Sequence, residues 1–141
     1  MNQSNMWGGK YSIIVPILSL YKLKNDYSKN SFLSILEIEI RKDKNSEKPD
    51  LKINICCIID GDIYLGECKR SEKFRKDNFK ENTVMNKYKN VVKEIGGKGL
   101  IFSTFSDEWK KETKEKIDKL KEEEKDEIEI IIFEKSNLLP Q

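Results

Sequence analysis

The sequence predicts an α/β domain built on one mixed β-sheet, and three observations predict it. Two apolar runs flank Asp60-Gly61 between Leu51 and Lys69, a strong hairpin signal because both turn residues must tolerate positive φ. A helical stripe follows at Val84, Met85, Tyr88, Val91, Val92 and Ile95, ended by Gly96-Gly97. The run Leu100 to Phe105 then completes a strand–helix–strand unit, which crosses over right-handed.

The remaining elements follow in chain order. Met1 to Lys10 is polar and glycine-containing and reads either as frayed or as an appended expression segment. Tyr11 to Leu20 is apolar but interrupted by Pro16, which predicts an edge strand or an irregular cover segment, with Lys22 to Asn30 as a loop. Phe32 to Ile40 ends in alternation, with Glu37 and Glu39 on one face, and predicts a strand. Arg41 to Asp50 is a charged loop. After the βαβ unit, Ser106 or Asp107 is expected to cap a helix with Trp109, Thr113, Ile117 and Leu120 on one stripe. Ile128 to Phe133 is expected to close the sheet.

Size and composition narrow the chemistry. The 141 residues suit a single domain, residues 1–141, with a real core. Lys+Arg 27 against Asp+Glu 25 leaves +2, so net charge selects no partner. No run of 18 apolar residues marks a membrane span and no signal-peptide pattern opens the chain, so a cytoplasmic protein is expected. Three cysteines without CxxC or histidine argue for reduced, mostly buried thiols rather than zinc. The absence of histidine removes Ser-His, Cys-His and His-ligated metal chemistry, leaving carboxylates, lysine and a hard metal ion.

The hairpin register makes one constellation specific. With Asp60-Gly61 as the loop, Asn54 falls opposite Glu67, and strand alternation puts Asn54, Glu67 and Lys69 on one side. Directly opposed Cβ atoms lie about 5 Å apart, close enough to share a ligand. The same alternation puts Ile53, Ile55, Cys57, Ile59 and Tyr64 on one face, and Cys56, Ile58, Ile63 and Leu65 on the other. Glu-x-Lys recurs at Glu112-Thr113-Lys114 and Glu123-Glu124-Lys125, but only Glu67-Cys68-Lys69 ends an apolar strand. On the residues alone it reads either as a site or as the exposed end of a strand.

Asn54 followed by Glu67-Cys68-Lys69 after the Asp-Gly turn resembles the PD-(D/E)xK, or restriction-endonuclease-like, nuclease superfamily over roughly residues 35 to 133. The resemblance implies a restriction-endonuclease-like mixed sheet, a central hairpin plus a βαβ unit, flanked by helices. It implies metal-dependent phosphodiester hydrolysis of DNA or RNA with Mg2+ or Mn2+. Asn54, Glu67 and Lys69 would be the catalytic positions; Asn54, Glu67 and the Cys68 carbonyl would be the metal ligands. Lys69 would orient water or neutralise the phosphate. The family has Asp where this chain has Asn54, and many relatives carry an acid on a helix before the sheet, where no helix is predicted here.

An amide oxygen brings no negative charge, and three explanations of Asn54 stand side by side. It is an engineered Asp→Asn change, or the domain is naturally inactive, or another acid substitutes. Glu37 or Glu39 suits that last role better than Asp50, which is roughly 13 Å away along the strand at about 3.3 Å per residue. The stretch Arg70, Lys73, Arg75, Lys76 and Lys80, with Phe74 and Phe79 interleaved, reads either as a phosphate-tracking surface or as a solvated loop with two core aromatics. The alternative function is a catalytically inactive nuclease-fold domain that binds nucleic acid or a partner protein. A homodimer or a larger parent protein would extend so small a domain.

Overall fold

A computed structural model describes residues 13–75 and 78–140, the side chains of residues 78 and 79 excepted. Five strands, β1 (Phe32–Ile40), β2 (Leu51–Ile59), β3 (Asp62–Lys69), β4 (Gly99–Thr104) and β5 (Glu129–Phe133), form one sheet in that spatial order. The first three are an antiparallel meander; β4 and β5 run parallel to β3. Among the described residues four helices flank it: α1 (Ile14–Tyr27), α2 (Asn78–Glu94), α3 (Lys111–Glu123) and α4 (Lys135–Leu138). The expected α/β class with a mixed sheet is observed.

The sheet separates two cores. On one side α2 and α3 bury Met85, Tyr88, Val92 and Ile117 against Ile53, Leu65, Leu100 and Phe102. On the other, α1 and α4 bury Val15, Leu23 and Leu138 against Ile55, Cys57, Ile101 and Phe133.

The segment around Pro16 corrects the sequence reading: it is helical, and the helix runs through much of the expected loop to Tyr27. Ile13 is the N-cap, so Pro16 sits in the first turn, where a backbone N–H has no intrahelical acceptor to lose. Val15, Ser19 and Leu23 recur every four residues and are its buried stripe. A helix therefore does precede the sheet. The expected cap of α3 is also corrected, because Lys110 is its N-cap and no side chain caps it. Ser106 and Asp107 lie in a preceding loop pinned by Trp109 N–H donating to Glu134 Oε2 at 2.7 Å. Thr113, Ile117 and Leu120 form the buried stripe as expected.

The hairpin turn has Asp60 at φ 50° and Gly61 at φ 91°, both positive as a type I′ turn requires. Its register is the expected one from Ile59–Asp62 through Ile55–Gly66. Asp60 also accepts the backbone N–H groups of Lys29, Asn30 and Ser31 at 2.7 to 3.2 Å, tying the end of α1 to the hairpin tip. These bonds, from Ser31 first, then Asn30 and Lys29, hold its carboxyl below the usual aspartate range. A depressed folded-state value stabilises above the unfolded value and is lost as pH falls through the folded one. Asp60→Asn is therefore expected to lower stability at neutral pH. It should also flatten the loss of stability below the ordinary aspartate range, read by urea unfolding as a function of pH.

Strict alternation fails at one point. Ile53 joins the α2 side with Leu65, whereas Ile55 joins the α1 side, although only Asn54 separates them. The same inversion occurs in β1, where Phe32 packs to the α1 side and Ile38 and Ile40 to the α2 side. Between them Glu37 has φ 57°, the left-handed region. The β1–β2 register is the same on both sides of the break, Leu36–Ile55 and Ile38–Ile53, while Glu37 and Asn54 do not pair. One residue per strand is thus left out of the ladder, so the faces invert without a slip in register. A non-glycine residue in this conformation costs about 1 kcal/mol or more. Glu37→Gly should raise stability by up to about 1 kcal/mol, and Glu37→Val should lower it, in the same urea series.

Candidate functional site

Where β2 and β3 part, the observed geometry differs from the expected pair. The ladder ends at Ile55–Gly66, and Asn54 and Glu67 are not partners in it. Asn54 Oδ1 instead accepts the backbone N–H of Cys68 at 2.7 Å, supplying the acceptor that the interrupted ladder does not. Gly66 is required here, since a Cβ would lie 2.5 Å from the Ile55 side chain.

Glu67 turns toward α2 and is 2 % exposed. Its Oε2 accepts the Tyr88 hydroxyl at 2.5 Å; its Oε1 faces Arg75 Nη1 at 3.1 Å and Lys69 Nζ at 3.5 Å. Arg75 also donates to the Phe74 carbonyl at 2.6 Å. A buried carboxylate is tolerated when paired and hydrogen-bonded, and here two cations and a phenol do both. The Tyr88 hydroxyl also lies 3.1 Å from the Lys52 carbonyl and 3.3 Å from that of Gly66, so it fills the gap between the strands. Burial, then the Glu67 charge, push the Tyr88 phenol well above its ordinary range, which keeps it a donor.

A second buried carboxylate holds the segment after β3. Glu81 of α2 is fully buried and accepts the Phe74 backbone N–H, the Thr113 hydroxyl and Lys116 Nζ, each near 3.0 Å. This ties the loop carrying Arg75 to both α2 and α3. Neither Tyr88 nor Glu81 is among the site residues that the sequence predicts. The signal was present, since both belong to the Met85 stripe of α2, where a carboxylate has no place without a partner.

The other expected residues are placed as follows. Cys68 packs under α1 with its thiol 3.9 Å from Ser19 Oγ, and burial pushes that thiol up to about 12, which keeps it protonated. Ser19 also shares a 2.6 Å hydrogen bond with Ser103. Arg70 and Lys80 are exposed and Lys73 half-buried, while Lys76 lies outside the described residues. A cavity of about 480 Å3 on the α1 side is lined by Pro16, Glu37, Asn54, Cys68, Lys69 and Arg70. Glu39 pairs with Arg41 at 2.6 Å, while Glu37 is exposed, with Lys52 3.9 Å away.

An Mg2+ or Mn2+ ion at the expected place needs oxygens of Asn54 and Glu67 together with the Cys68 carbonyl. The donor set does not fit. Asn54 Oδ1 is committed to the Cys68 amide, both Glu67 oxygens are committed to cations and a phenol, and no group of three acidic, Cys or His side chains converges among the described residues. Among the described residues no helix is long and apolar enough to cross a membrane. The chain matches no family model, no curated protein and no solved structure.

Proposed function

We propose that this chain is a nucleic-acid-binding domain of PD-(D/E)xK-like design whose hydrolytic centre is disabled at Asn54. The observation that carries the reading is the closed state of Glu67. The one carboxylate of the motif is neutralised by Arg75 and Lys69 and capped by Tyr88. The order helix, three antiparallel strands, helix and parallel strand supports the design. Arg70, Lys73 and Lys80 follow β3 and supply the phosphate-contacting charge. Binding is expected to weaken as salt rises, and Lys73→Ala with Lys80→Ala should reduce that salt slope without changing sequence preference. Binding indifferent to salt would count against the reading.

A second reading, an active phosphodiesterase in which Glu37 substitutes for the missing acid, is favoured by Glu37 lining one cavity with Asn54 and Cys68. Asn54→Asp separates the two. Its carboxylate keeps an acceptor for the Cys68 amide and adds a negative charge at nearly the same volume. On the proposed reading Mn2+ should raise the melting temperature of this variant only once Arg75→Ala is added to release Glu67 Oε1, and should leave that of the unaltered chain unchanged, since a ligand that binds only the folded state stabilises it. Equal stabilisation of both, lost in Glu37→Gln, would favour the second reading.

A further inference from the structure

Among the described residues no strand pairs with the outer edge of β1, and its first half carries none of the charges or prolines that commonly protect an edge. Residues 32–36, Phe-Leu-Ser-Ile-Leu, contain no charge and no proline, and Leu33 is 66 % exposed, Ile35 60 % and Leu36 39 %. The opposite edge, β5, is five residues long and begins with Glu129. The left-handed backbone at Glu37 divides β1 into this uncharged half and a half carrying Glu37 and Glu39.

We propose that two copies of this chain pair through β1, antiparallel about a two-fold axis at Ser34, extending the sheet across the interface. The charge pattern selects this register. With the axis at Ser34, Leu33 of one copy meets Ile35 of the other and Phe32 meets Leu36, apolar against apolar. The acidic end of each β1 then approaches the 29–31 turn of the second copy, where Glu39 falls at the register position of Lys29 and the Asp60 carboxylate is already held by the turn's N–H groups. Parallel pairing in register would set Glu37 beside Glu37 and Glu39 beside Glu39. An antiparallel axis at Ile38 would set Glu37 against Glu39. A two-fold contact is self-complementary and closes at two copies, which ends growth at an edge that would otherwise template further strands.

Light scattering on the full chain at low salt should give about twice the 16.6 kDa of one chain. Leu33→Lys and Ile35→Lys replace side chains already open to solvent, so both should fold, as circular dichroism can check, and both should return the mass to that of one chain. Ser34→Cys should form a covalent dimer under mild oxidation much faster than Glu39→Cys or the unaltered chain. A monomer at high micromolar concentration overturns the proposal. So does a dimer that survives Ile35→Lys, or cross-linking through Glu39→Cys as fast as through Ser34→Cys.

Discussion

Tyr88→Phe should lower unfolding stability by about 2–3 kcal/mol, although it removes a single oxygen atom. Among the described residues the hydroxyl is the one neutral donor to the Glu67 side chain, and hydrogen bonds to charged groups are worth more than neutral ones. Without it, one oxygen of a carboxylate that is 2 % exposed has no donor among the described residues, and the two cations lie on the other oxygen. The effect is expected to be specific to the pair. In a Glu67→Ala background the same change should cost less than about 1 kcal/mol, because the hydroxyl then retains only the Lys52 and Gly66 carbonyls as alternative acceptors. Urea unfolding of the four proteins of this cycle measures the coupling. Equal costs in both backgrounds would show that the Tyr88–Glu67 bond does not hold Glu67.

Glu81→Ala should be comparably damaging, at about 3 kcal/mol. It leaves the Phe74 N–H and the Thr113 hydroxyl, both buried, without this acceptor, and leaves Lys116 without its carboxylate. The loss should also be local in origin. Phe74 packs edge-on against Trp109 and beside Phe102, so freeing its backbone loosens the hub between α2, α3 and β4. Hydrogen exchange at the Phe74 amide should rise before that of the β3–β4 ladder. Glu81→Gln should recover part of the stability, because its carbonyl still accepts one of the three donors.

The sheet was legible in the sequence because its signals are local. Asp60-Gly61 fixes both φ values and therefore the register of β2 on β3, and the Val84–Val92 stripe fixes the α2 face. Helix α1 was not, since Pro16 reads as a breaker until the helix start at Ile14 is known. The inversion at Glu37 and Asn54 has no compositional mark, because neither residue is glycine and each strand looks continuous on paper. That single irregularity moved Asn54 from beside Glu67 to the Cys68 amide and altered the candidate site more than any other feature. The Arg75–Glu67 contact depends on the path of a loop held by Glu81, a tertiary fact that spacing does not encode.

Incubation of end-labelled single- and double-stranded DNA and RNA with the unaltered chain in Mn2+, scored together for bound and for cleaved material, tests the central claim most directly. A retained complex that weakens with salt, with no cleavage product on any substrate, is the predicted result. Cleavage by the unaltered chain that disappears in Glu67→Ala would contradict it and establish a working phosphodiesterase. Absence of any complex at low salt would equally remove the binding function.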